Sequence, residues 1–317
     1  MKILVTGATG FVGGALVRRL VAQGPPHLWR VEVALRRPEK YMPVSAAQHL
    51  VGDLSGNTNW QPAVEGASIV VHCAARAHVV GAASDSLAAF RQVNVDGTLH
   101  LARCAAAAGV RRFIFLSSIK VHGEATVPGS PLRANDACDP KDAYGLSKFE
   151  AETGLRRLAQ ETGMELVIIR PPLVYGPGVS ANFAALMNWV KRGWPLPLAA
   201  VHNQRSLIGL DYLVDLIVTC LMHGAAPGQV FLVSDGEDVS TTQLLRRMGS
   251  AMGRPVRLFP VPCTWLIAAA AMLGRPGVAQ RLLGSLQVDT SRTCDLLDWR
   301  PPLSLDEGLK RAAGRVM

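Results

Sequence analysis

The strongest indication of the fold is the segment Thr6-Gly7-Ala8-Thr9-Gly10-Phe11-Val12-Gly13. Its glycines recur at every third position, directly after the apolar run Ile3–Val5 and directly before the helical apolar pattern of Phe11–Ala22. Glycines let the backbone turn sharply and approach a pyrophosphate, which then binds the amides at the helix N-terminus. An ordinary glycine turn is the alternative, but the position between a strand and a helix favours a dinucleotide-binding loop.

Strands and helices alternate after this loop. The predicted strands are Val31–Leu35, Ile69–Ala74, Phe113–Leu116 and Leu166–Ile169. The predicted helices are Ser86–Ala108 and Asp142–Thr162. Uninterrupted apolar strands that alternate with helices indicate an α/β fold with a doubly wound parallel sheet, the Rossmann arrangement.

The sequence changes character after Gly176-Pro177-Gly178, where prolines become more frequent and helices shorter. Val230–Val233 is the only clear strand beyond this point, and we expect it to return to the main sheet. The prediction is therefore a dinucleotide-binding domain of residues 1–176 with a returning segment near 205–236. A smaller, mostly helical substrate lobe would comprise residues 177–204 and 237–317.

Composition excludes several classes of protein. The chain has 317 residues, of which 49% are hydrophobic, so it can bury a full core and is not predicted to be disordered. Its net charge of +9 comes from scattered residues without a basic run, so we predict no nucleic-acid partner. A solvated basic surface is the simplest explanation of this charge, and a preference for anionic small molecules is the alternative.

The six cysteines form no C-x-x-C pair and no Cys/His cluster with zinc spacing. We therefore expect no metal site, and reduced thiols that suit the cytoplasm. The apolar stretch Trp265–Leu273 is far shorter than the roughly 20 residues of a membrane span. We expect it to form a buried helix, or a helix between the two domains, rather than a membrane-surface anchor.

The residues after the second predicted strand bear on the cofactor. A dinucleotide site usually places Asp or Glu there to bind the adenine ribose, but this chain has Arg36 and Arg37. Arg36 could pair with a 2′-phosphate, so the sequence favours NADP(H) over NAD(H), although both arginines could simply be solvated. In Gly52-Asp53-Leu54, Asp53 could accept a hydrogen bond from the adenine amino group, or serve only as a turn residue. The small residues Ala74 and Ala75 would let the backbone lie against the cofactor.

A second group of residues carries the predicted catalysis. Ser118 follows a strand, and Tyr144 and Lys148 share one face of a helix because they are four residues apart. A nearby ammonium and the nicotinamide charge would lower the phenol pKa, so that Tyr144 could transfer a proton while the nicotinamide transfers a hydride. Ser118 would hold the reacting oxygen. A surface Tyr and Lys on an amphipathic helix is the alternative, which the upstream glycine loop disfavours.

These motifs resemble the extended short-chain dehydrogenase/reductase family, in its nucleotide-sugar epimerase/dehydratase branch. The resemblance runs nearly end to end through the following segments: TGATGFVGGAL, GDL, VVHCAA, NVDGT, FLSSIKVHGE, YGLSK, IIRPPLVYGPG, RSLIGLDYLVDLI, FLVSDGE and LLDWRPPLSLDEGL. It implies a Rossmann domain that binds NAD(P) and a C-terminal lobe that binds a nucleoside-diphosphate sugar. It also implies a homodimer that forms through the two predicted helices Ser86–Ala108 and Asp142–Thr162.

The resemblance assigns roles to individual residues. The resemblance implies that the cofactor is bound by Gly7, Gly10, Phe11, Val12, Gly13, Asp53, Lys148 and Pro171. The positions of four further residues in the sequence add Arg36, Leu54, Ala74 and Ala75 to the predicted cofactor site. Ser118, Tyr144 and Lys148 match the catalytic positions, and Ser118 would also contact the substrate. Asn182 and Arg205 match positions that usually contact the diphosphate of the sugar nucleotide.

The chain departs from the family pattern beside Ser118. Family dehydratases carry an Asp-Glu pair there, whereas this chain has Ile119-Lys120, so dehydration is not expected. Lys120 replaces a small residue that faces the substrate. The segments SSIKVHGEAT and RPPLVYGPG resemble those of bacterial enzymes that reduce a UDP-4-keto-6-deoxy-N-acetylhexosamine at C4 for surface-polysaccharide (O-antigen) synthesis. A UDP-glucose or UDP-N-acetylglucosamine 4-epimerase is the alternative, and a non-catalytic dinucleotide-binding sensor is disfavoured because the Ser, Tyr and Lys are all present.

Overall fold

A seven-stranded parallel sheet forms the centre of the molecule. The computed structural model describes residues 1–23, 29–39, 42–43, 45–77 and 86–314. The strand order of the sheet is β3-β2-β1-β4-β5-β6-β9. The strands of the whole chain are β1 (Lys2–Thr6), β2 (Arg30–Leu35), β3 (Ala47–Leu50), β4 (Ile69–His72), β5 (Arg112–Leu116), β6 (Glu165–Arg170), β7 (Leu173–Tyr175), β8 (Arg205–Gly209), β9 (Val230–Leu232) and β10 (Asp238–Val239).

Helices cover both faces of this sheet. The helices of the described part of the chain are α1 (Phe11–Gln23), α2 (Gln61–Val64), α3 (Leu87–Arg91), α4 (Thr98–Ala107), α5 (Ala143–Thr162), α6 (Ala181–Arg192), α7 (Leu210–Met222), α8 (Thr241–Ala251), α9 (Cys263–Met272), α10 (Pro276–Leu283), α11 (Ser291–Leu297) and α12 (Leu305–Ala313). Ile3 and Val5 of β1 pack in one core with α1 and α7, whereas Leu4 between them packs in a second core with α2, α4 and α5. Burial on both faces explains the uninterrupted apolar strands and confirms the predicted doubly wound sheet.

The predicted helix Ser86–Ala108 is present but is not uniform. Ser86 caps α3 by accepting a hydrogen bond from the Ala89 N–H, and α4 completes the helix. Between them the chain widens into a π-helical segment, Gln92–Gly97, whose Asn94 side chain is buried. Such wide turns inside helices often mark functional sites, because they redirect a side chain that a regular helix would aim elsewhere.

The second half of the chain contains more strand than the sequence predicted. β9 joins the main sheet by pairing with β6, as expected for the returning strand. However, β7, β8 and β10 form a separate three-stranded sheet that sequence reasoning missed. These strands have only three, five and two residues, too few to show a recognisable pattern. They pack with α6, α8 and α12 around a third core, and the predicted domain boundaries stay a prediction.

The prediction that Trp265–Leu273 forms a buried helix is wrong. The stretch does form a helix, α9, but none of the α9 residues is buried. Cys263 and Leu266 contact the third core with part of their surface, whereas Trp265 is 71% exposed. The helix is apolar on every side, so one face packs against the protein and the rest of its apolar surface faces outward.

A buried ion pair joins α5 to the end of β6, directly behind the sheet edge where β5 ends. Both oxygens of the Glu152 carboxylate accept hydrogen bonds from the Arg170 guanidinium, and Glu152 also accepts one from the Ser117 hydroxyl. Arg170 further contacts the His122 ring, and all four side chains are buried. Opposite charges in this bidentate geometry offset the cost of removing them from water.

We predict that Glu152→Ala lowers the free energy of unfolding by about 3–5 kcal/mol, because it leaves the Arg170 charge buried and unpaired. Urea denaturation of the full chain measures the loss. Glu161→Ala is the matched control, since Glu161 lies on the same helix and pairs with Arg157 in solvent. The control should leave the urea midpoint nearly unchanged, and equal midpoints for the two variants would contradict the assigned role of Glu152.

Candidate active site

The glycine loop at the end of β1 has no space for side chains. Gly7 has a φ of +70°, and a Cβ there would lie 2.6 Å from the Ala74 backbone nitrogen. A Cβ on Gly13 would lie 2.2 Å from the Gly7 carbonyl oxygen. The loop is closed by a 2.9 Å hydrogen bond from the Gly10 N–H to the Gly7 oxygen, and Thr9 and Gly10 face outward. This exposed cradle before α1, whose half-buried first residues are Phe11 and Val12, fits the pyrophosphate of a dinucleotide.

Two further predicted cofactor residues lie near each other at the same edge of the sheet. Arg36 follows β2 and Asp53 follows β3, and their charged groups are 3.6 Å apart. Both side chains are largely exposed, so this ion pair contributes little to stability. Leu54 approaches the backbone of Gly97 in the π-helical segment, while Ala74 is half-buried and Ala75 is exposed at the end of β4. Adjacent strands therefore bring these residues to one edge.

The chain turns sharply after β5, where the catalytic serine was predicted. The Ser118 hydroxyl accepts a 3.2 Å hydrogen bond from the Lys120 N–H, and the Ile119 N–H donates to the Pro171 carbonyl oxygen at 3.0 Å. The first turn of α5 packs directly on this segment, because a Cβ on Gly145 would lie 2.6 Å from the Lys120 carbonyl oxygen. The structure thus places Ser118, Pro171 and the start of α5 side by side.

Lys148 extends from α5 towards the end of β5, one helical turn from Tyr144. Its Nζ donates a 2.8 Å hydrogen bond to the Leu116 carbonyl oxygen and lies 4.2 Å from the centre of the Phe115 ring. Burial lowers the pKa of Lys148 to about 8, so the ammonium is still mostly protonated at pH 7. The position of Lys148 beside the strand end suits a residue that binds the nicotinamide ribose.

The pKa of Tyr144 differs from the sequence-based expectation, which was a lowered value. Burial, and second the negative charge of Asp142, raise the pKa of Tyr144 to about 12. The Tyr144 ring contacts the Phe90 ring edge-to-face, with 6.2 Å between their centres. The Lys148 ammonium is directed to a backbone carbonyl, so Asp142 is the charge that acts on the phenol. Tyr144 is therefore protonated at neutral pH and can donate a proton.

Lys120, which was predicted to face the substrate, is held in two ion pairs, and its contact with substrate stays a prediction. Its ammonium pairs with the carboxylates of Asp142 and Glu124. Asp142 caps α5 as well, by accepting a 2.7 Å hydrogen bond from the Gly145 N–H. The sequence showed no carboxylate directly after Ser118. The fold places the carboxylates of Asp142 and Glu124 near this turn, and the Lys120 ammonium pairs with both. The pairs join the turn after Ser118 to the start of α5.

The two residues predicted to contact a diphosphate lie on the smaller sheet and the helix beside it. Asn182 is exposed in the first turn of α6. Arg205 begins β8, and its guanidinium donates a 2.9 Å hydrogen bond to the Gly284 carbonyl oxygen. Within the described residues, no hydrogen bond or ion pair joins either side chain to Ser118, Tyr144 or Lys148. Their role in substrate binding stays a prediction.

Comparison with known proteins agrees with this geometry. The model of the NAD dependent epimerase/dehydratase family matches residues 3–234. A protein named UDP-glucose 4-epimerase from Vibrio cholerae is 45% identical over 98% of this chain and 94% of its own length. This chain belongs to the NAD dependent epimerase/dehydratase family. It is therefore an enzyme, of the nucleotide-sugar epimerase/dehydratase type.

Solved structures of nucleotide-sugar epimerases share the fold of this chain. The UDP-glucuronic acid 4-epimerase from Bacillus cereus, solved in complex with NAD, matches with a TM-score of 0.80 at 19% identity, over 100% of this chain and 96% of that chain. The UDP-glucose 4-epimerase from Thermotoga maritima, solved with UDP-glucose, matches with a TM-score of 0.77 at 23% identity, over 100% and 98% of the two chains. The family uses NAD, and the comparisons give no support for a preference for NADP(H).

Sequence reasoning assigned no role to Asn94, a buried residue that links two parts of the candidate active site. Its amide accepts a 2.8 Å hydrogen bond from the Arg76 N–H and donates to the Arg76 carbonyl oxygen and to the Ser147 hydroxyl, both at 3.0 Å. Asn94 thus ties the loop after β4 to the helix that carries Tyr144. The available signal was a helix-disfavouring Asn inside a helical pattern.

We predict that Asp142→Asn lowers the pKa of Tyr144, because the substitution removes the negative charge that raises it while Asn still caps α5. Titration of the tyrosinate absorbance, with Tyr144→Phe as the reference that isolates this group, should show Tyr144 ionising at a lower pH than in the parent. Asp139→Asn is the control, since Asp139 pairs with Lys141 on the surface. An unchanged Tyr144 titration in Asp142→Asn would show that its charge does not act on Tyr144.

Proposed function

We propose that this enzyme reduces a UDP-4-keto-6-deoxy-N-acetylhexosamine at C4, which gives a quinovosamine- or fucosamine-type sugar for surface-polysaccharide synthesis. The observation that carries the C4 chemistry is the placement of Ser118 against the first turn of the helix that bears Tyr144 and Lys148. Reduced NAD(P) in the glycine cradle supplies the hydride in this reaction. The chain's own residues bind the sugar and supply the proton.

Each of the three residues has a separate task in this proposal. The Ser118 hydroxyl hydrogen-bonds the C4 oxygen and holds the carbonyl carbon towards the nicotinamide position. Tyr144 donates its phenolic proton to the same oxygen as negative charge develops there. Lys148 would hold the nicotinamide ribose with its buried ammonium.

Two features support reduction over the other reactions of the family. Tyr144 is protonated at neutral pH, which is the form that a reduction consumes, whereas an epimerase must first remove a proton from the sugar hydroxyl. Lys120, two residues after Ser118, is held by Asp142 and Glu124. These pairs restrict the space in which a keto sugar would have to rotate, and they leave no free carboxylic acid for dehydration.

The second candidate is a UDP-hexose 4-epimerase that acts on UDP-glucose or UDP-N-acetylglucosamine. It is favoured by the 45% identity to the Vibrio cholerae protein named UDP-glucose 4-epimerase. An epimerase would use the same three residues in both directions and keep its cofactor bound. The distant alternative of a non-catalytic sensor is disfavoured because the chain retains Ser118, Tyr144 and Lys148.

We also propose the finer properties that accompany this function. Asn182 and Arg205 bind the diphosphate of the UDP-sugar, and Arg205 supports this role as a partly buried cation whose pKa burial lowers. The enzyme is a cytoplasmic homodimer through the α3–α4 and α5 helices. The free state of all six cysteines agrees with a reducing compartment.

Incubation with sugar nucleotides tests the reaction. The purified protein with reduced NAD(P) should convert the 4-keto sugar and oxidise one cofactor for each product, followed by the absorbance of the reduced nicotinamide. Tyr144→Phe should lower turnover by about 10²–10⁴-fold with nearly unchanged dinucleotide affinity. Efficient interconversion of UDP-glucose and UDP-galactose with no added cofactor, and no reaction of the 4-keto sugar, would instead establish the epimerase.

Substitution of Arg36 tests the proposed preference for NADP(H). If its guanidinium pairs with the 2′-phosphate, NADPH should bind more tightly than NADH, and Arg36→Ala should remove about a 10- to 150-fold advantage. Titration of both cofactors measures this ratio. Arg133→Ala, on the other side of the sheet edge and paired with Asp289, is the control. Equal affinities, or tighter binding of NADH, would mean that Arg36 is only solvated beside Asp53.

A further inference from the structure

Helix α9 presents an apolar surface that nothing in the described structure covers. Its exposed side chains include Trp265 (71%), Met272 (83%) and, just after the helix, Leu273 (75%). Ile267 and Phe259 are about half exposed beside them. We name these five residues the α9 surface. Soluble proteins rarely expose large apolar side chains in one group without a binding role.

The chain around the α9 surface is basic and contains no acid. Residues 239–288 include six arginines and no Asp or Glu. Arg247 pairs with Glu237 and Asp306. The other five form no ion pair among the residues that the structure describes; they are Arg246, Arg254, Arg257, Arg275 and Arg281. Positive charge therefore borders the apolar surface before and after α9.

A second exposed tryptophan lies close to the same surface. The Leu196 N–H bonds to the Arg257 carbonyl oxygen, and the Phe259 N–H bonds back to the Leu196 oxygen. This pairing holds the end of α6 next to Phe259, and Trp194 there is half exposed with the Arg192 guanidinium 4.9 Å from its ring. Trp and Arg side by side at the edge of an apolar surface match the chemistry of a lipid headgroup layer.

We propose that the α9 surface binds the face of an anionic lipid bilayer. The ten residues of α9 span only about 15 Å, and among the described helices none is long and apolar enough to cross a membrane. The helix instead lies in the plane of the interface, with Trp265 and Met272 in the acyl boundary and the arginines against the headgroups.

Charge complementarity selects the bilayer over a second copy of this chain. A symmetric contact through α9 would bring Arg254, Arg257 and Arg275 of both copies together, and residues 239–288 offer no carboxylate to pair with them. Anionic headgroups neutralise these cations while the acyl region receives the apolar side chains. This inference goes beyond the reductase function and rests on none of the catalytic residues.

Flotation of the full-length protein with vesicles tests the proposal. Vesicles of phosphatidylcholine and phosphatidylglycerol should carry the protein upward, pure phosphatidylcholine should carry much less, and added salt should release it. Trp265→Glu should reduce the bound fraction by about tenfold or more, because it removes an aromatic anchor and adds a negative charge. Activity on soluble substrate should be unchanged, which shows that the variant folds.

Two further variants make the result specific to this surface. Val127→Glu adds the same charge at another exposed apolar residue, so it should bind anionic vesicles like the parent. Arg254→Gln combined with Arg275→Gln should weaken binding and reduce its salt dependence. The proposal is overturned if the parent does not float with anionic vesicles at low salt, or if Trp265→Glu floats equally well. Loss of self-association in Trp265→Glu without any vesicle binding would assign the surface to a second copy instead.

Discussion

The active site depends on backbone segments that approach each other more closely than any side chain would allow. Gly7 lies against the backbone of Ala74, Gly13 lies against Gly7, and Gly145 lies against Lys120. The first contact joins β1 to the end of β4, and the second closes the loop between β1 and α1, so together they shape the predicted cofactor cradle. The third brings the helix of Tyr144 and Lys148 onto the turn after Ser118. The first and third contacts join elements that are distant in sequence, so the predicted cradle and the predicted catalytic residues come together only when the parallel sheet forms.

Buried polar side chains then hold these elements in register. Glu152 and Arg170 link α5 to β6 behind Ser117, and Asn94 links α5 to the loop after β4. Removal of such groups from water is costly unless every donor and acceptor is paired, and here bidentate and reciprocal hydrogen bonds provide the pairing. The result is a rigid frame that leaves the Ser118 hydroxyl, the Tyr144 phenol and the Lys148 ammonium at one edge of the sheet.

The electrostatics of this edge agree with the proposed reduction. Burial, and second the charge of Asp142, raise the pKa of Tyr144, and the same carboxylate binds Lys120. The α9 surface lies on a different part of the chain, where an apolar helix is bordered by five arginines that form no ion pair among the described residues. Catalysis and membrane contact are therefore physically separable.

The doubly wound sheet, the glycine loop and the residue types of the Ser118, Tyr144 and Lys148 group could be predicted from the sequence, because apolar periodicity and glycine spacing are local properties. Other features depend on contacts between distant parts of the chain. Lys120 was expected to face the substrate, but the fold brings Asp142 and Glu124 to it. Tyr144 was expected to have a lowered pKa, but burial and Asp142 raise it. The strands β7, β8 and β10 are too short to recognise in the sequence without their partner strands. Helix α9 was expected to be buried because its residues are apolar, but composition does not show which neighbours cover a helix. Pairing, burial and pKa are properties of the surroundings that residues acquire from distant parts of the chain.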